Sequence, residues 1–210
     1  MTKQKATLLA IFISILLSLF FYCIIEWIHI NRNIPYGDLT RDPNAIHDSP
    51  KYIGLLSQTG MIFWFSTAGI LLFAAFLMFS YFKDFNQGVF LGNAFFLTIF
   101  LGIDDMFMLH DELAHRGLRE EYFYMFYGIW LLITLITFKK TITHTLYPLI
   151  FIYGLFFGIS IVIDKFINEA YLPEDMLKFT GILNWCYYWT STCYYLLQKQ
   201  FQAKNTTKFS

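Results

Sequence analysis

Six stretches of this chain are apolar almost without interruption: Thr7–Ile25, Gly60–Phe82, Val89–Ile103, Tyr122–Phe138, Tyr147–Ile163 and Phe179–Leu197. A helix needs roughly 20 apolar residues, with about 17 tolerable, to cross the hydrocarbon of a bilayer. Backbone polar groups cannot be left unpaired there, so each stretch must be a helix or a barrel strand, and these are too long for strands. The expected fold is therefore all-α: a polytopic transmembrane bundle of about six spans, near 7–27, 60–82, 89–110, 122–138, 147–164 and 179–198, forming one domain over 1–210. The third stretch holds fifteen apolar residues before Asp104, so it crosses only by running on into an acidic segment. Charged residues make up 14% of the chain, against about 25% in soluble domains, which fits a solvent other than water.

Lys3 and Lys5 precede the first stretch, as in a secretory leader, but no small-x-small cleavage site follows it. The stretch reads as the first span. With an even number of spans both termini share a side, together with Lys83, Lys139, Lys140, Lys199, Lys204 and Lys208 and with Asp84 as the sole acid. The positive-inside rule then puts both termini in the cytoplasm, in what is expected to be a bacterial inner (plasma) membrane. The outer loop 28–59 is the longest connection and carries Pro35, Pro43 and Pro50. Basic and acidic residues cancel, fifteen against fifteen, so nothing points to nucleic acid. Cys23, Cys186 and Cys193 all sit in apolar stretches with no zinc spacing, and read as packing residues. Gly88/Gly92 and Gly154/Gly158 have the four-residue spacing that lets helices, including those of a homo-oligomer, approach closely.

The most unusual segment runs Gly102-Ile-Asp-Asp-Met-Phe-Met-Leu-His-Asp-Glu-Leu-Ala-His115. Taken as a continuous helix at about 100° per residue, it sets Asp111, His115, Glu112 and Asp105 about −20°, +20°, +80° and +100° from Asp104. His110 then points away, at about −120°. The first stretch closes with the i, i+3 pair Glu26 and His29, and the fifth with Asp164. In six spans these three helix ends meet at the outer surface, where the helix dipole is negative and disfavours carboxylates. Bound protons, basic partners or a metal must compensate.

Exposed interfacial ion pairing explains Glu112, Glu120, Glu121, Glu169, Glu174 and Asp175 adequately, since such pairs are common and weak. Hydroxyls such as Ser66, Thr67, Ser191 and Thr192 are expected to bond back to their own helices. Asp104 and Asp105 are different, because acids that follow so few apolar residues sit within the membrane and usually face a cavity or a partner.

The function expected from these residues is a metal-dependent membrane enzyme acting on a lipid or other amphiphile, with hydrolysis favoured. Asp104, Asp111 and His115 would be ligands, joined by Glu26, His29 or Asp164, and mixed imidazole and carboxylate donors suit zinc, iron or manganese. Asp105 or Glu112 would be the general base on a metal-bound water. Two alternatives belong to other classes: a cation or proton channel or transporter with Asp104, Asp105 and Asp164 lining its outer vestibule and backbone with Asn93 or Asn184 lining a narrow pore, and a non-catalytic membrane subunit whose acidic face binds a basic partner.

Overall fold

The computed structural model describes residues 20, 22–40, 47, 50, 52–114, 117, 119–167 and 171–206, with only the backbone given for Asp111, Glu112, Ala114, Tyr171 and Thr206. Most of the expected first span, together with His115 and Glu169, lies outside the described residues. Helices account for nearly all that is described, and no strand occurs among the described residues. The chain forms two compact units, Met1–Leu55 and Leu56–Ser210.

In the first unit a helix over 22–32 (α1) stops at Asn33, whose φ of 52° is left-handed, and Tyr36–Thr40 forms one further short helix (α2). Asparagine tolerates that conformation better than most residues do.

The second unit begins with α3 (Leu55–Leu77), which runs into a π-helical turn at Met78–Phe82. Lys83, at φ 59°, ends it, and Asp84 caps the next helix by accepting from the Gln87 N–H at 3.1 Å. That helix, α4 (Phe85–Phe107), is followed by the short α5 (Leu109–Ala114), α6 (Glu121–Thr137), α7 (Lys139–Ile142), α8 (Pro148–Phe166) and α9 (Tyr171–Thr206). Helix α8 packs along α9, and α6 lies against α4.

Among the described residues three helices are long and apolar enough to cross a membrane: Leu55–Phe82, Phe85–Phe107 and Pro148–Phe166. Glu121–Thr137 is apolar but shorter. The sixth expected stretch lies within the 36-residue α9, where Asn184 and many Trp, Tyr and hydroxyl side chains dilute the apolar character. Three of these aromatic residues face inward, while Tyr187 and Tyr194 are exposed. Trp185, Tyr188 and Trp189 are buried with Trp64, Phe90 and Leu91, and the Trp185 indole donates to Thr98 Oγ1 at 3.1 Å. Outward, Phe73, Phe76, Ile133, Ile136, Phe151 and Leu155 are all exposed. A soluble domain does not leave so much contiguous apolar surface in water. The arrangement, polar contacts inside and apolar side chains outside, is compatible with an integral membrane protein.

Two polar features inside the unit hold helices together. Asn93 donates to Thr134 Oγ1 at 2.6 Å and accepts from the Trp130 indole at 2.9 Å, tying α4 to α6. Gly102 permits close approach on the other side, since a Cβ there would lie 3.0 Å from Trp64 Cβ. The pair Gly154/Gly158 does not pack this way: a Cβ at either would meet nothing within 4 Å. Gly88 and Gly92 do not act as a pair, because a Cβ at Gly88 would strike the Phe79 ring and one at Gly92 would meet nothing within 4 Å.

Candidate functional site

The acidic segment is not a continuous helix. Helix α4 ends at Phe107, and Met108 adopts φ 46°, ψ 48° with its N–H bonded to the Asp104 carbonyl. Left-handed backbone costs a non-glycine residue about 1–2 kcal/mol. The return for that strain is visible in the next turn: Asp104 Oδ1 accepts from the His110 backbone N–H at 3.0 Å and lies 3.1 Å from His110 Nδ1. The side chain that ends one helix thus caps the start of the next, α5. The angular arrangement expected for an unbroken helix is therefore corrected. His110, expected to point away from Asp104, is its closest partner, and Asp111 and Glu112 lie on the separate helix α5.

The break also answers the problem posed by carboxylates at a negative helix pole. Asp104, at 5% exposure, is hydrogen-bonded by an imidazole and by an N–H at the positive end of α5. Asp105 is held differently. Its Oδ2 accepts from the Trp64 indole at 3.1 Å and its Oδ1 is 2.5 Å from Lys178 Nζ on α9. Compensation is thus present in histidine, lysine and indole partners, of which Trp64 and Lys178 are distant in sequence.

These groups line a cavity of about 240 Å³. Its walls include Asp104, Asp105, Met108 and His110, with Tyr124 and Tyr127 from α6, Ser160 and Asp164 from α8, and Glu174 and Lys178 from α9. Ser160 is buried and donates to its own helix at Phe157 O, 2.8 Å away, as expected of a membrane hydroxyl. Asp164 and Glu174 make no hydrogen bond or ion pair among the described residues. Burial, then the nearby charges of Asp164 and Asp175, push the Glu174 carboxyl above its ordinary range, with Lys178 opposing.

Of the residues expected to form the site, Asp104, Asp105 and Asp164 come together at this cavity. The side chains of Asp111 and Glu112, and all of His115, lie outside the described residues. Glu26 and His29 belong to the first unit, where Tyr36 engages both: its hydroxyl donates to Glu26 Oε2 at 2.8 Å and its ring stacks on His29 at 3.9 Å. His29 Nδ1 also lies 2.7 Å from the Ile34 carbonyl. Among the described residues no three His, Cys, Asp or Glu side chains converge as a metal-binding group. Sequence reasoning missed His110, Trp64, Lys178 and the two tyrosines. Only His110 left a trace, as an imidazole within the acidic segment whose assumed direction depended on an unbroken helix.

A second cavity of about 170 Å³ adjoins the first and shares Leu101, Tyr124, Tyr127, Phe157 and Ile161 with it. It has no charged residue in its lining. Its walls are Gly128 and Leu131 of α6 and Gly154 and Gly158 of α8, and its floor is Leu97 and Trp185.

The chain matches, over residues 8–192, the family described as Domain of unknown function (DUF8692), and it belongs to that family. No curated protein and no solved structure matches it.

Proposed function

We propose that this member of the family is a membrane enzyme, a hydrolase acting on a lipid or other amphiphile, with its active site in the cavity around Asp104 and His110. The observation that carries the reading is the pairing of buried Asp104 with half-buried His110 in a cavity that opens onto an uncharged groove. A carboxylate on Nδ1 fixes the imidazole tautomer with Nε2 as the basic nitrogen. His110 is then the general base: it takes a proton from water, the resulting hydroxide attacks an acyl carbon, and the proton returns to the leaving group. Asp105, bound to Lys178 and Trp64, has the role of positioning rather than of base.

In this reading the chain crosses the membrane six times with both termini in the cytoplasm, and the cavity lies at the outer end of the spans. The metal-dependent form would use zinc, iron or manganese and needs Asp111 and His115 beside Asp104 and Asp164. Elemental analysis of the purified protein separates it from the metal-free form. A cation channel has less support, since Asn93 is tied up by Trp130 and Thr134.

The test is a screen of acyl ester and amide amphiphiles with the parent protein and with His110→Ala and Asp104→Asn. Removal of a general base is expected to cost about 10²–10⁴-fold in turnover. Turnover that His110→Ala leaves unchanged would sink this assignment, and ion flux in liposomes without any turnover would move the protein to the channel class.

A further inference from the structure

The uncharged groove beside the cavity has walls from α6 and α8 that carry glycine where they face each other. Gly128 on α6 and Gly154 on α8 are exposed, so the groove opens on the outer surface of the unit. In membrane helices glycine usually serves close helix contact. Here it does not, because a Cβ added at Gly128, Gly154 or Gly158 would meet nothing within 4 Å. The glycines leave space instead of filling it. Around the opening, Ile129, Leu132, Phe151 and Leu155 are exposed and apolar, so its surroundings belong to lipid.

We propose that this groove is the lateral entrance and tail site for one hydrocarbon chain of an amphiphile whose cationic headgroup sits in the polar cavity. The inference rests on the cavity being the functional site and names the class of molecule it takes. Three observations support it. The groove is continuous with the cavity through five shared lining residues, among them Tyr124, Tyr127 and Phe157, so one molecule can occupy both. At about 170 Å³ the groove is below the roughly 300 Å³ at which pockets for drug-sized ligands begin, which suits one chain and not two. In the cavity four carboxylates meet one lysine and one imidazole: Lys178 pairs with Asp105 and His110 hydrogen-bonds Asp104, whereas Asp164 and Glu174 make no hydrogen bond or ion pair among the described residues. A headgroup placed between them gains from positive charge, and a phosphate would face two carboxylates.

The experiment uses the full chain in lipid nanodiscs and a single-chain alkylamine carrying a diazirine near its tail end, with crosslinked residues mapped by mass spectrometry. Label concentrated on Leu131, Gly158 and their neighbours is expected, and unlabelled alkylamine should compete at least ten times better than alkyl phosphate of equal length. Gly158→Leu, whose Cβ would meet nothing within 4 Å and whose remaining atoms would fill the groove, should reduce that labelling several-fold, while Gly69→Leu on α3, whose Cβ also meets nothing within 4 Å, should not. Label spread evenly over lipid-facing residues of α3 and α6, or unaffected by Gly158→Leu, would overturn the tail site. Equal competition by the phosphate would overturn the cationic headgroup. No turnover is needed for any of these readouts, so the labelling and the hydrolase screen fail independently.

Discussion

At the scale of single residues, the site is built by pairing buried charges with partners that the chain brings from elsewhere. Asp105 is the clearest case, with its carboxylate shared between the Trp64 indole and Lys178. Breaking a buried pair from one side leaves an uncompensated charge, which costs about 3–5 kcal/mol when burial is complete. Lys178 retains 31% side-chain exposure, so Lys178→Met is expected to cost roughly 2 kcal/mol after allowance for solvent screening. The double variant Lys178→Met/Asp105→Asn should recover most of that loss in thermal unfolding in detergent. A double variant no more stable than the single one would mean that the pair is not the source of the effect.

Glu121 poses the opposite situation at the exposed edge of the unit. Lys165 and then Arg119 hold its carboxyl down from 4.5 to about 2. A depressed folded-state value means that the stabilisation is complete above 4.5 and is lost as pH falls towards 2. Glu121→Gln should therefore flatten that part of the acid limb of a melting-temperature profile and leave the profile near neutrality almost unchanged. An acid limb that keeps its slope in the variant would contradict the pairing.

At the scale of elements, the decisive event is the break after Phe107. A continuous third helix would carry His110 away from Asp104, and the left-handed Met108 turns it back. Met108→Val is expected to destabilise the protein by about 1–2 kcal/mol more than Met108→Gly, since a β-branched residue resists positive φ and glycine does not. Equal stability of the two would show that the turn is not left-handed in solution. The contact of α3 with α4 makes a second element-scale prediction. The Cβ of Gly102→Ala would lie 3.0 Å from Trp64 Cβ, so Trp64 must give by a few tenths of an ångström, which moves the indole relative to Asp105. Overpacking of this kind costs about 1–3 kcal/mol, whereas Gly69→Ala, with nothing within 4 Å, should be neutral or slightly stabilising. Melting temperatures of the two variants measured side by side decide it.

At the scale of the whole molecule, the proposed six-span topology is open to a direct check. Single cysteines placed at Lys83 and at Lys140, in a background lacking the three native ones, should be shielded from a membrane-impermeant maleimide in intact cells. A cysteine at Gly117 should react. Labelling of all three, or of Lys83 but not Gly117, would overturn the orientation. The same experiment places the cavity, because Asp104 and His110 lie at the Gly117 end of α4.

What was legible in the sequence is what depends on local apolar content and on the chemistry of rare residues. Long stretches without charge dictate helices, because only internal hydrogen bonding satisfies a backbone in hydrocarbon, and the all-helical fold follows. The abnormality of Asp104 and Asp105 was legible too, since an acid so close behind an apolar run must be compensated. What compensates them was decided only by the tertiary structure. The partners come from residues 41 and 73 positions away, at Trp64 and Lys178, and no local pattern encodes such pairings. The turn at Met108 was equally hidden, as methionine carries no preference for positive φ and the strain is offset by hydrogen bonds formed only after the chain has turned. The glycines of the groove make the same point in reverse. Their spacing on the helix is visible in the sequence, but whether the space beside them holds another helix or stays open is a property of the packed unit alone.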